Sequence, residues 1–143
     1  MIENVERGKT VLVVDTNPAQ LEVLDATLAF LGYRVLIATS VKEGLDITLR
    51  EENRQLDLVV ARNQIPYQGD GGRFIEQLPD PTTPSILRSA DPDSVRDDVR
   101  KLQRRGYAVE LLSSPSSIAE LKNAIDKATS LAARLRERPS GLV

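Results

Sequence analysis

Thr10-Val11-Leu12-Val13-Val14-Asp15-Thr16-Asn17-Pro18 is the stretch that decides the fold. Four consecutive apolar residues after Thr10, three of them β-branched, read as a short strand buried on both faces, as in parallel sheets. Asp15 ends it. Asn17 is a helix-capping residue, and Pro18 stands at the first helical position, where its missing N–H costs nothing. Leu21, Leu24, Leu28 and Leu31 then recur at helical spacing up to Gly32, a C-terminal stop. Strand, tight turn and amphipathic helix make one half of a crossover unit.

Outward from that unit the pattern repeats. Arg34-Val35-Leu36-Ile37-Ala38 reads as a second strand. Ser40-Val41-Lys42-Glu43 has capping-box spacing and opens a helix expected through about Glu52, with Val41, Leu45 and Leu49 on its inner face. Leu56-Asp57-Leu58-Val59-Val60-Ala61 is a third strand. A loop with Pro66 and the turn-forming Gly69-Asp70-Gly71-Gly72 precedes a short helix expected around residues 74–78. Pro79, Pro81 and Pro84 delimit another loop. Ser85-Ile86-Leu87-Arg88-Ser89 is a weaker fourth strand. Asp93 or Ser94 is expected to cap a charged helix through Arg105, with Val95, Val99 and Leu102 inward and Gly106 at its end. Tyr107-Ala108-Val109-Glu110-Leu111-Leu112 is a fifth strand, and Ser117-Ile118-Ala119-Glu120 is a second capping box opening the last helix. Five strands alternating with five helices predict an α/β domain, a doubly wound parallel sheet covered by helices on both faces. The expected organisation is a polar segment at residues 1–9, one domain at 10–135 and a frayed tail at 136–143.

Composition narrows the function. The chain has 143 residues, 41% hydrophobic and 28% charged, which suits one globular domain. Aromatics are only 3%, too few for base-stacking platforms, and 19 basic against 21 acidic residues give no field favouring nucleic acid. With no histidine and no cysteine, Ser-His-Asp and Cys-His catalysis, thiolate or imidazole metal sites and disulfides are excluded. The first nine residues are polar, unlike a signal peptide, and no apolar run approaches a membrane span. A cytoplasmic, non-enzymatic protein with no nucleic-acid or membrane partner is the expectation. The basic group Arg100, Lys101, Arg104 and Arg105 follows Asp97 and Asp98 by one turn and reads as a solvated mixed-charge face.

Taken in order, Val11-Leu12-Val13-Val14-Asp15, Asn17-Pro18, Leu31-Gly32-Tyr33, Asp57-Leu58-Val59-Val60, Pro66, Asp70-Gly71 and Pro84 resemble the receiver domain of bacterial response regulators over residues 10–129. The resemblance implies the flavodoxin-like fold, strand order 2-1-3-4-5, with the site at the carboxyl ends of the strands. It also implies five groups there: two adjacent acids after the first strand that help hold magnesium, an aspartate ending the third strand that takes the phosphoryl group, a Ser or Thr ending the fourth, and a lysine before a proline after the fifth. A dianion made among carboxylates needs divalent and ammonium charge beside it.

In this chain that set is broken. Asp15 matches the first acid, but Thr16 replaces the second. Arg62 falls at the acceptor position, Ser89 at the hydroxyl, and Ser114, before Pro115, at the lysine. The degenerate pocket is therefore Asp15, Thr16, Arg62, Ser89 and Ser114, with magnesium binding expected weak or absent and no other cofactor. Arg62 is either a strand-end arginine in water or a fixed cation paired with Asp15 in place of the metal. The pair is preferred, because a buried carboxylate without metal needs a partner. The capping and strand-end roles of Thr16, Asn17 and Ser89 are preferred over residual anion binding.

The function expected from this set is a phosphorylation-independent regulatory module acting by protein–protein contact in signal transduction. Alternatives are a phosphoacceptor using Asp70, Asp57 or Ser89, and a small anion- or nucleotide-binding domain. In receivers, partners usually meet the face built from the fourth and fifth helices and the fifth strand. Here that face contains Val95, Leu102, Leu111, Leu121, Ile125, Ala132 and Leu135, and its partner is another signalling protein or a second copy. Ile118, Leu121, Ile125, Ala128, Ala132 and Leu135 form a narrow seam. A helix to Leu135 is about 18 residues, near 27 Å, longer than the sheet requires. Removing the chain after Thr129 is accordingly expected to weaken association and spare the fold.

Overall fold

The computed structural model describes residues 8–50 and 55–137. Its elements in order are β1 (Lys9–Val14), α1 (Pro18–Phe30), β2 (Tyr33–Ala38), α2 (Val41–Leu49), β3 (Leu58–Arg62), α3 (Asp70–Glu76), β4 (Ser85–Ser89), α4 (Arg96–Arg104), β5 (Val109–Ser113) and α5 (Ile118–Glu137). The five strands form one sheet in the order β2-β1-β3-β4-β5, with every pairing parallel. This is the flavodoxin-like arrangement. Most of the expected N-terminal segment and of the expected tail, and the region around Glu52, lie outside the described residues, although α5 itself runs to Glu137.

Alternation along the central strands divides the interior in two. Leu12, Val14, Val59, Ala61 and Leu87 face α2, α3 and α4, where Phe74, Ile75, Val99 and Leu102 meet them. Val11, Val13, Leu58, Val60 and Ile86 face α1 and α5, against Leu24, Leu28, Leu121, Ile125 and Ala128. Each large aliphatic side chain so enclosed contributes about 1.5–3 kcal/mol.

Local signals place the helices. Asn17 Oδ1 accepts from Gln20 N at 3.1 Å, and Gly32 takes φ +99° to end α1. At α5 the capping box is reciprocal: Glu120 N donates to Ser117 Oγ at 3.0 Å and Ser117 N to Glu120 Oε1 at 2.8 Å. At α2, Ser40 Oγ accepts from Glu43 N, but Glu43 Oε1 reaches one residue further back, to Thr39 N at 2.7 Å.

Several boundaries and faces differ from the sequence reading. The second helix ends at Leu49, and it turns Gly44, Ile47 and Thr48 inward. Leu49, about 100° further round, is 69% exposed, while Val41 and Leu45 are only partly covered. α3 begins at Asp70, so Gly71 and Gly72 are helical rather than part of a turn. Asp70 fixes that start by accepting Tyr67 N at 2.9 Å and Arg73 Nη2 at 2.7 Å. Gly71 is there because a Cβ would stand 2.1 Å from the carbonyl oxygen of Arg62. Neither Asp93 nor Ser94 caps α4 with its side chain. Pro92 starts a 3₁₀ turn (Pro92–Ser94), Ser94 Oγ turns back to Asp91 O, and Asp93 pairs with Arg96. β4, the strand read as weak, is buried at all five positions.

The end of α5 is a further correction. Ala132 is 1% exposed, and Arg136 Nε donates to Thr82 Oγ1 at 2.9 Å. Beyond Thr129, Ala132 is thus covered within this chain, and Arg136 reaches the chain's own 80–82 loop.

Candidate functional site

The carboxyl ends of β1, β3, β4 and β5 converge on Asp15. Its backbone N–H is tied to Ala38 O at 3.1 Å, and its side chain is 0% exposed. Oδ1 accepts from Asn17 N at 2.9 Å, a bond that the Asp-Thr-Asn-Pro turn makes locally. Oδ2 accepts from Arg88 Nη1 at 3.1 Å. The cation is 3% exposed and comes from β4, across the end of β3.

Arg88 is held on every side. Its Nη2 donates to Gln20 Oε1 at 2.7 Å and to Ser114 Oγ at 2.9 Å, which ties α1 and the β5–α5 loop to the same guanidinium. Burial pulls the guanidinium below its ordinary value, Asp15 opposes that by attraction, and Arg62 pushes in the same direction as burial. A buried ion pair is favourable when its remaining hydrogen-bonding groups are satisfied. Gln20, Ser114 and Asn17 N do that here.

The expected Arg62–Asp15 pair is not formed. Arg62 is half-buried at the end of β3, directly across from Arg88 in the strand register, and makes no side-chain hydrogen bond or ion pair among the described residues. The partner that Asp15 requires is present, but it comes from one strand further away. Sequence reasoning missed Arg88 because it was taken as an ordinary position of a strand. The available signal was a lone charge within Ser85-Ile86-Leu87-Arg88-Ser89, a segment flanked in the topology by buried strands. Such a charge must find a counter-charge on the same face.

Of the other expected pocket residues, Ser114 joins the network through Arg88, and its N–H donates to Ser89 O at 2.9 Å. Ser89 Oγ is buried and accepts from Asp91 N at 3.0 Å, a strand-end turn bond. Thr16 is exposed and takes no part. Both alternative acceptor aspartates are committed elsewhere. Asp57 Oδ2 accepts from Thr10 N at 2.7 Å, at the opposite end of the sheet. Asp70 binds Tyr67 N and Arg73, and the Arg73 hydrogen bond keeps its carboxyl below the usual range.

These residues do not fit magnesium. Hard divalent cations need several free oxygen ligands. Here one carboxylate has both oxygens engaged, and Arg88 already supplies its counter-charge. Among the described residues no cluster of three or more His, Cys, Asp or Glu side chains could hold a metal.

The residues proposed for a contact face divide sharply. Val95, Leu102, Leu121, Ile125 and Ala132 are buried in this chain's own interior, because the helical stripes that carry them cover the sheet. Only Leu111 and Leu135 remain partly exposed, with Ile118 exposed at the start of α5.

No family model matches the chain. It is 32% identical over 117 residues to the two-component response regulator ORR26 of Oryza sativa subsp. japonica, a match over 81% of this chain and 19% of the longer protein. Among solved structures it superposes with TM-score 0.72 and 26% identity on the signal receiver domain of an HD domain-containing protein from Pseudomonas fluorescens Pf-5, covering 96% of this chain and 98% of that one. A response regulator receiver domain protein from Clostridium thermocellum gives TM-score 0.72 at 23% identity, covering 89% and 98% of the two chains. These likenesses show the fold of a receiver domain, and the chain spans about a fifth of the length of the curated relative that it matches. Among the described residues no helix is long and apolar enough to cross a membrane.

Proposed function

We propose that this chain is a receiver-like regulatory module of two-component signalling that works without phosphoryl transfer, through contacts with other proteins. One observation carries the reading: the buried Arg88 guanidinium sits on the carboxylate of Asp15, the one acid left of the family's magnesium ligands. A fixed internal cation takes over the charge balance of the metal. With Arg62 at the acceptor position and Ser114 at the lysine position, neither attack on a phosphoryl donor nor neutralisation of the product is supported. The module is cytoplasmic and not an enzyme. Its partner is another signalling protein or a second copy of this chain, meeting the α4–β5–α5 side where Leu111, Ile118 and Leu135 are accessible. Neither nucleic acid nor membrane is a partner.

Incubation with acetyl phosphate and magnesium tests this directly, with intact mass measured under conditions that preserve acyl phosphates and a functional receiver as control. The expected result is an unmodified mass and a melting temperature unchanged by magnesium. A stoichiometric phosphoryl adduct on any aspartate, Asp70 included, would return the chain to the phosphoacceptors. The unpaired Arg62 favours a second reading, a small anion held at the same edge. Saturable stabilisation by inorganic phosphate, lost in Arg62→Gln, would support it.

A further inference from the structure

On the face of the sheet opposite Arg88, α3 and α4 leave a cleft of about 250 Å³ between them. Its floor includes Leu87 and Leu102, and Asn63, Gly72, Asp98 and Lys101 line it. We propose that this cleft binds a small zwitterion with an apolar body, the chemistry of a hydrophobic α-amino acid.

Gly72 is the first reason. A glycine inside a helix is costly relative to alanine and persists where a close approach requires it. Its neighbour Gly71 has that requirement, from the Arg62 carbonyl. Gly72 has none: a Cβ there would meet nothing within 4 Å. The space that its missing side chain leaves belongs to the cleft.

Asn63 is the second reason. It is buried, and its Nδ2 donates to Gln68 Oε1 at 3.3 Å, yet its Oδ1 accepts nothing among the described residues. A buried acceptor without a donor is costly and is characteristic of a site awaiting a ligand or water.

The charges at the mouth name the ligand class. Arg105 is engaged by Glu76, and Arg73 by Asp70 and Gln68 O. Asp98 and Lys101, one helical turn apart on α4, make no ion pair or side-chain hydrogen bond among the described residues. Asp98 and the Asn63 oxygen suit an ammonium, Lys101 suits a carboxylate, and Leu87 with Leu102 suits an aliphatic body. The volume is below the roughly 300–1,000 Å³ of drug-sized sites, which favours a molecule as small as leucine.

Titration of the full chain with L-leucine, followed by backbone amide NMR, tests the proposal. Isoamylamine and 4-methylpentanoate serve as probes that keep one charge each. Leucine is expected to shift the amides of Gly72, Leu102 and Lys101 saturably, with each single-charge probe about tenfold weaker. Gly72→Leu fills the cleft with a better helix former, so it should stay folded by circular dichroism and lose leucine affinity by about tenfold or more. Lys101→Gln should weaken leucine and 4-methylpentanoate but leave isoamylamine unchanged. No saturable shift up to about 10 mM leucine, or leucine binding that survives Gly72→Leu, overturns the site. Equal affinity for the single-charge probes overturns the zwitterion.

Discussion

Arg62 and Arg88 stand opposite each other in the β3–β4 register, yet only Arg88 reaches a carboxylate, Asp15 Oδ2 at 3.1 Å. Arg62 is the arginine on the nearer strand. The difference lies in what surrounds each one: Arg88 has Gln20 and Ser114 to satisfy its second terminal nitrogen, and Arg62 has no described side-chain partner.

Arg88→Met is expected to destabilise the fold by about 3–5 kcal/mol, since it strands a buried carboxylate. Asp15→Asn combined with Arg88→Met should recover most of that loss, whereas Arg62→Met should cost less than about 1 kcal/mol. Urea denaturation of the four proteins measures all three differences. Equal losses for the two arginine variants would contradict the pairing described above.

The two helical glycines should respond oppositely to alanine. Gly71→Ala drives a Cβ into the Arg62 carbonyl and is expected to cost about 3 kcal/mol. Gly72→Ala meets open space and should stabilise by about 0.5–1 kcal/mol. Thermal melts of both variants supply the comparison.

Burial holds the Glu110 carboxyl above its ordinary value of 4.5, against the opposing pull of Lys127 and Arg134. The folded state then binds the proton more tightly than the unfolded one, so this group's contribution to stability falls as pH rises from its ordinary value through its raised one. Glu110→Gln should raise the melting temperature at pH 7 and lose that gain below about pH 4. A gain that persists undiminished in acid would refute the burial account.

Truncation after Thr129 is expected to destabilise the domain, because it removes the buried Ala132 and the Arg136–Thr82 hydrogen bond. Circular dichroism melts and light scattering on the shortened chain separate loss of folding from loss of association. An undiminished melting temperature would return this helix end to the role of a free contact surface.

The number of strands and helices was legible because buried parallel strands leave unbroken apolar runs, such as Val11 to Val14, while Asn17, Ser117 and Glu120 mark helix starts by local bonding; the sheet order came from the resemblance to receiver domains. What failed was whatever depended on a partner distant in sequence. Gly71 read as a turn because the Arg62 carbonyl that demands a glycine is visible only after folding. Leu49 read as core because the 41, 45, 49 spacing marks one stripe, whereas the folded helix turns the neighbouring stripe of Gly44, Ile47 and Thr48 onto the sheet. The expected partner of Asp15 was Arg62, and the structure supplies Arg88 in its place. A spacing argument ranks candidates by strand adjacency, and the neighbouring polar groups that make a burial tolerable do not appear in it.

The Arg88 network also bears on how the chain assembles. Its three side-chain bonds join residues 73, 68 and 26 positions apart, so it can close only after β1, α1, β4 and β5 have docked. Contacts of such long sequence separation form late, after the loop-closure entropy has been met. Bonds absent from the rate-limiting barrier govern how fast a native chain opens, with little influence on how fast it forms. The cation that closes the pocket is therefore expected to act as a clasp on the lifetime of the folded molecule, slowing its escape from the native basin.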